Sequence, residues 1–249
     1  MDKMSMQKVS SIDIPIIVLA GGLGTRLRSV VKNSPKIMAP IADKLFIDIL
    51  LVWLESQGAT SVMFSLGVMS EQVINHIEKT NLNNNDLMNV DYVVEPSPLG
   101  TLGAVAHCLR EKNIDECLVM NGDTWLDVDL ASFVSLQQKN KVKQALVCKQ
   151  VEDVSRYGYL DFLDDYLIRS FNEKQSHLHQ AGWINAGIYF FSSYVIQTLK
   201  EYKAGSLEED FLANCTNLHY FKVADGAFID IGTPESFKIA SDVLKEYLK

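Results

Sequence analysis

The chain has 249 residues, 47% of them hydrophobic and 22% charged, with a formal net charge of −8. A chain of this length buries about 70–75% of its extended surface on folding, so it needs no disulfide or metal staples, and its composition excludes disordered and fibrous classes. The acidic balance argues against a nucleic-acid partner, and no apolar run approaches the roughly 18 residues of a membrane span.

Residues 1–12 read as a flexible polar tail. Lys3 and Lys8 precede the apolar run 14–20, but that run leads into glycines rather than a cleavage site, so it reads as a buried first strand. Helical spacing of Phe46, Ile49, Leu50, Trp53 and Leu54 predicts a helix over 44–57, stopped by Gly58. A strand over 61–66, a helix over 70–79 and a turn-forming stretch over 81–86 follow. Segments 90–94 and 117–120 read as buried strands, with a helix over 129–139. This β-α-β-α rhythm implies an α/β fold with an open, mostly parallel sheet and helices on both faces.

After residue 150 the segments become short and alternating, at 157–162, 167–171 and 184–191. They suggest an antiparallel or mixed extension laid against the first sheet. Thr233 is placed as an N-cap and Pro234 at the first helical position, with Ala240, Val243, Leu244 and Tyr247 on one helical face. The expectation is one domain over 13–249, with a first lobe at 13–150, a second lobe at 151–230 and a C-terminal helix over 233–248. The four cysteines (Cys108, Cys117, Cys148 and Cys215) lack metal or redox spacing and are expected to be reduced thiols, which fits a cytoplasmic location.

Chemistry concentrates in AGGLGTRLRSVVKNSPK, residues 20–36, directly after the first strand. Gly21, Gly22 and Gly24 allow a tight turn that brings backbone N–H groups to a ligand, and the loop leads into a helix N-terminus that favours anions. Between Gly21 and Ala42 stand four cations (Arg26, Arg28, Lys32 and Lys36) and no carboxylate, a local charge of +4 in an acidic chain. A polyanion belongs there. The dinucleotide loop G-x-G-x-x-G fails because Leu27 replaces its third glycine, and the NTPase loop G-x-x-x-x-G-K-[ST] is absent.

The segment GGLGTRL followed by Pro35-Lys36 resembles the signature of sugar-1-phosphate nucleotidylyltransferases. The resemblance continues through EPSPLGTLGA (95–104), NGD (121–123), RYG (156–158), EK (173–174), INAGIY (184–189) and FIDIGTPESF (228–237). Within that family the chain most resembles the D-glycero-D-manno-heptose 1-phosphate guanylyltransferase branch. The resemblance implies a Rossmann-like, mostly parallel sheet flanked by helices, with a smaller mixed-sheet sugar-binding lobe. It also implies transfer of a nucleoside monophosphate from a triphosphate, GTP foremost, to a sugar 1-phosphate, for surface-polysaccharide synthesis.

Carried over by motif, Leu19, Ala20, Gly21, Gly22, Gly24, Thr25, Arg26, Gly100 and Thr101 would bind the nucleotide. Arg26 would stabilise the leaving pyrophosphate, and Lys36 would neutralise charge near the α-phosphate. Asp123 and Asp230, each closing an apolar strand, would hold Mg²⁺. Asn121, Gly158, Glu173, Lys174 and Asn185 would bind the sugar phosphate. Glu95 is placed to accept the paired N1–H and N2–H donors of guanine, or instead to cap the loop backbone. Leu102 is bulkier than the residue usual at its position, close to where the base should lie. Asp127 and Asp129 are expected to be caps or turn formers, and the histidines at 177 and 179 a surface loop. No membrane partner is expected, and a homo-oligomer is compatible with the sequence. Three competing readings remain: a related hexose-phosphate nucleotidylyltransferase, a silent regulatory subunit of this fold, and a dehydrogenase already disfavoured by the missing glycine.

Overall fold

The computed structural model describes residues 11–22, 24, 27, 31, 34–80, 88–163, 165–172, 177–245 and 248. In chain order the strands and helices are β1 (Ile16–Ala20), β2 (Pro40–Ile41), β3 (Lys44–Leu45), α1 (Phe46–Ser56), β4 (Ser61–Leu66), α2 (Ser70–Lys79), β5 (Asn89–Val94) and α3 (Gly100–Glu111). Next come β6 (Cys117–Asn121), β7 (Thr124–Leu126), α4 (Leu130–Lys139), β8 (Gln144–Val151), β9 (Tyr159–Phe162) and β10 (Ile168–Asn172). The chain closes with β11 (Gly182–Phe191), α5 (Ser193–Lys200), β12 (His219–Val223), β13 (Phe228–Asp230) and α6 (Pro234–Val243).

Among the described residues nine strands form one sheet, whose spine runs β10-β9-β11-β6-β1-β4-β5, with β8 pairing β11 and β12 pairing β8. Strands β6, β1, β4 and β5 are parallel, as expected for strands linked by helical crossovers. Beyond β6 the pairing is mixed: β11 runs antiparallel to β6, β8 and β9, and β9 to β10, while β12 is parallel to β8. The strands after residue 150 therefore continue the first sheet edge to edge rather than forming a layer laid against it.

The uninterrupted apolar character of β1 follows from cover on both faces. Ile16 and Val18 join the core under α1, α2, α4 and α6, while Ile17 joins the opposite core under α3 and α5. The same alternation sends Leu118 and Met120 one way and Cys117 and Val119 the other. Trp53 of α1 and Trp125 of β7 meet at 5.8 Å between ring centroids, closing the first core near the site. Asp129 caps α4 by accepting from the Ser132 N–H at 2.8 Å. Thr233 and Ser236 form a reciprocal capping box with Pro234 at the first helical position.

Several boundaries differ from the sequence expectation. Ile12, assigned to the tail, is 1% exposed and bridges Ala59, so the ordered body starts earlier. The first helix begins at Phe46, because Lys44 and Leu45 pair with Ile41 and Pro40 across a turn with Ala42 at φ 54°. The C-terminal helix stops at Val243 with Leu244 as its cap. The lobe division at 150 falls inside β8, and β13 returns to pair with β7 of the first lobe. The turn at 81–86 and Tyr247 lie outside the described residues. Among the described residues no helix is long and apolar enough to cross a membrane. Cys108, Cys117 and Cys148 are buried free thiols, and burial pushes the Cys108 and Cys215 thiols up to about 11.

Candidate active site

A cleft of about 360 Å³ opens at the carboxyl ends of β1, β4, β5 and β6. Its floor is the turn after β1: Leu19, Ala20, Gly21, Gly22 and Gly24 line it, with Gly24 at φ 56°. Gly21 sits in a crowded place. A Cβ there would collide with the Glu95 Oε1 atom and lie 3.3 Å from the Gly67 backbone nitrogen. The Leu27 N–H donates to the Gly24 carbonyl at 3.0 Å and the Val31 N–H to the Leu27 carbonyl at 2.9 Å.

One wall carries the charges. Lys36 forms an ion pair with Asp123 Oδ2, and the two side chains are only 15% and 30% exposed. The Asp123 carbonyl accepts from the Ile231 N–H at 2.9 Å, while β13 pairs with β7 so that Asp230 stands opposite Thr124. Asp230 Oδ1 accepts from the Gly232 N–H at 2.6 Å. A Cβ on Gly232 would lie 2.6 Å from Asp230 Oδ1 and 2.8 Å from Lys36 Nζ, so Lys36, Asp123 and Asp230 meet around one glycine. Lys36 and Asp123, 87 positions apart, are thereby joined beside the β7–β13 pair.

The opposite wall is the start of α3. Gly100 has φ +72°, and a Cβ there would strike the Gly205 carbonyl oxygen, so only glycine admits this approach. The Gly205 N–H donates to the Leu99 carbonyl and the Leu102 N–H to the Gly205 carbonyl, both at 2.9 Å, which bolts the loop before residue 206 onto the helix. Glu95 Oε2 accepts from the Leu99 N–H at 3.1 Å. The loop-capping alternative is therefore realised by one of its oxygens, while the carboxylate as a whole still lines the cleft. Burial raises the Glu95 carboxyl above its ordinary value of 4.5, against the opposing pull of the Leu99 hydrogen bond and of His107.

The cleft brings together the expected glycine loop, Lys36, Glu95, Gly100, Thr101, Asn121 and Asp123. Gly158 is exposed at the end of the RYG segment, where Arg156 donates to Thr233 Oγ1 at 3.2 Å, so that motif meets the DIGTPE motif beside α6. Asn185 lies on β11 and donates to the Tyr189 hydroxyl at 2.8 Å. Thr25, Arg26, Arg28, Lys32, Glu173 and Lys174 lie outside the described residues. Leu102 is a correction: it is fully buried in the core under α3 and does not reach the cleft, because Thr101 and Ala104 occupy the helix face turned towards it. His179 pairs with Asp153 at 2.9 Å on the surface, away from any metal-type cluster.

Sequence reasoning missed Ile37, Val68, Pro98, Ala104, Gly122 and Glu208, all of which line the cleft. Gly122 was visible inside NGD; its N–H donates to the Leu19 carbonyl at 2.9 Å. Glu208 gave no signal, because an acidic run at 208–210 reads as a solvated surface. Among the described residues no group of three metal-ligating side chains occurs.

A glycine-backbone floor with a lysine and two carboxylates beside it, at the carboxyl ends of parallel strands, suits a phosphorylated ligand. The Nucleotidyl transferase family model matches residues 15–246, and the chain belongs to that family. It is 35% identical over 223 residues to D-glycero-alpha-D-manno-heptose 1-phosphate guanylyltransferase of Campylobacter jejuni, across 89% of this chain and 96% of that protein. HddC from Yersinia pseudotuberculosis superposes with a TM-score of 0.81 at 34% identity, covering 92% of this chain and 98% of its own. The same protein complexed with GMP-PN superposes at 0.78 with 33% identity and the same coverage.

Proposed function

We propose that the chain transfers GMP from GTP to D-glycero-α-D-manno-heptose 1-phosphate, releasing pyrophosphate and forming a GDP-heptose. The observation that carries the reaction is the meeting of Lys36, Asp123 and Asp230 at one end of a glycine-floored cleft. The choice of substrates rests on the heptose-specific name of the Campylobacter jejuni relative and on the GMP-PN complex of HddC.

In this reading the sugar-phosphate oxygen attacks the α-phosphorus in line, the bond to the β-phosphate oxygen breaks, and pyrophosphate departs. Catalysis of such a displacement is mostly positioning and charge neutralisation. Backbone N–H groups of the Gly21–Gly24 turn hold the β- and γ-phosphates with Arg26. Lys36 places its ammonium at the α-phosphate, held there beforehand by Asp123. Lys174, Glu173 and Asn185 take the sugar's phosphate and hydroxyls. Glu95 offers guanine the acceptor capacity that its bond to Leu99 leaves unused.

Asp123 and Asp230 would hold Mg²⁺, because carboxylate oxygens are the hard donors that this cation prefers. When bound, the ion would neutralise phosphate charge and lower the barrier to pyrophosphate departure. The test is a pyrophosphate-release panel crossing four nucleoside triphosphates with heptose, mannose, glucose and N-acetylhexosamine 1-phosphates. The expected winner is GTP with the manno-configured heptose. Preference for mannose 1-phosphate or for UTP would overturn the substrate assignment, and no turnover with any pair at millimolar Mg²⁺ would overturn the enzyme.

A further inference from the structure

Asn185 and Thr101, assigned to opposite substrates, are joined by hydrogen bonds through Tyr189, which closes the INAGIY segment, and Glu208, which no motif marks. The Asn185 amide donates to the Tyr189 hydroxyl at 2.8 Å, and that hydroxyl donates to Glu208 Oε1 at 2.8 Å. From the other side the Thr101 hydroxyl donates to Glu208 Oε2 at 3.3 Å and accepts from the Leu207 N–H at 2.7 Å. The Gly187 N–H donates to Asn185 Oδ1 at 2.9 Å, which fixes which end of the amide faces Tyr189.

The direction of every bond follows from the carboxylate. An ionised carboxylate only accepts, so both hydroxyls must point their hydrogens at Glu208. Each hydroxyl then has lone pairs left over; Thr101 spends one on Leu207 and Tyr189 spends one on Asn185. Tyr189 is fully buried, and burial together with Glu208 holds its phenol far above the ordinary range, so it stays a donor. Glu208 itself lines the cleft. It sits in a single π-type turn over Leu207–Phe211, and the loop before that turn is bolted to α3 through Gly205. Such turns interrupt regular helix geometry and recur at functional sites.

We propose that Glu208 is a positioning residue for the transfer: it fixes Thr101 on the nucleotide side and, through Tyr189, Asn185 on the sugar side, so that the two substrates are held in register for in-line attack. This rests on the reading of the site as a nucleotidyltransferase centre. The linkage predicts different kinetic signatures for its parts. Tyr189→Phe cuts only the sugar branch, so it raises KM for the sugar phosphate and leaves KM for the nucleotide unchanged. Glu208→Ala cuts both branches, so it lowers kcat about tenfold or more and raises both KM values, since loss of mutual orientation acts on the reacting geometry. Glu208→Gln keeps one acceptor oxygen and falls between wild type and Glu208→Ala.

The experiment measures these variants and the Tyr189→Phe/Glu208→Ala double variant by pyrophosphate release, using whichever nucleotide and sugar phosphate the wild type turns over fastest. Melting curves check that each variant is folded. The double variant is expected to be no slower than Glu208→Ala, because one network is lost only once. Wild-type kinetics in Glu208→Ala, or independent multiplication of the two single effects, would overturn the inference while leaving the transferase reading intact. If Glu208→Ala does not fold, Glu208→Gln and Tyr189→Phe carry the test, and wild-type KM values in both would overturn it. A wrong substrate assignment shows instead as a different best pair for the wild type. No turnover by the wild type with any pair overturns both readings.

Discussion

The two halves of the sheet build their parts of the site by different means. In the parallel half, the polar residues stand where strands end: Asn121 and Asp123 follow the buried run of β6, and the glycine turn follows β1. Crossover connections force every parallel strand to point its carboxyl end the same way, so these groups converge without special devices. In the antiparallel half, Asn185 and Tyr189 sit within β11, and convergence needs an irregularity. The register there shifts, so that Asn185 and Tyr189, four apart on β11, face Cys148 and Leu146, two apart on β8. Gly187, at φ +72°, lies inside that shift. Four residues of regular strand would separate the two Cα atoms by about 13 Å, and the bulge shortens that reach so that amide and phenol touch. Chain direction positions one half of the site, and a strained local feature positions the other.

The largest effect is expected at the strand tips. Asp123→Asn or Asp230→Asn should lower kcat/KM by about 100-fold or more, which is roughly 3 kcal/mol of transition-state stabilisation, with little change in melting temperature. Near-normal turnover in both would show that the parallel half does not carry the charge chemistry. Next, Gly21→Ala should reduce nucleotide affinity about tenfold or more, since the added methyl must displace Glu95 or lift the loop from Gly67. Calorimetric titration with GTP checks it, and unchanged affinity would mean that the loop floor is soft.

Gly187→Ala probes the other half. Its Cβ would stand 2.5 Å from Asn121 Nδ2 at a left-handed φ, and the backbone penalty alone is about 1–2 kcal/mol. Urea unfolding should register that loss, and KM for the sugar phosphate should rise more than KM for GTP. An equal rise in both would erase the contrast between the two halves.

The smallest effect concerns Glu95, whose carboxyl is raised above 4.5 by burial. For a carboxyl raised in the folded state, the stabilising contribution is complete below the unfolded value of 4.5 and is lost as pH climbs through the raised folded value. Activity runs the other way. If guanine is read by the carboxylate, kcat/KM for GTP falls as pH drops towards that raised value. In Glu95→Gln this acid limb should vanish, and the lead of GTP over UTP should narrow. A pH profile identical to wild type would leave Glu95 as a loop cap alone.

Sequence by itself determined the layers and the loop. The unbroken apolar run of β1 required cover on both faces, glycines and cations after it required a polyanion, and the caps Asp129 and Thr233 followed from local hydrogen-bonding chemistry. These are properties of neighbours in the chain, so a one-dimensional pattern contains them. Tertiary structure alone decided that Lys36 closes on Asp123, that Leu102 turns into the core while Thr101 faces the cleft, and that Glu208 joins Thr101 to Tyr189. Glu208 and Thr101 are 107 residues apart, and a lone glutamate in an acidic run has no periodicity to betray it. Which carboxylate becomes a strut rather than a solvated surface charge depends on the fold bringing two distant hydroxyls to it, and no local pattern records that meeting.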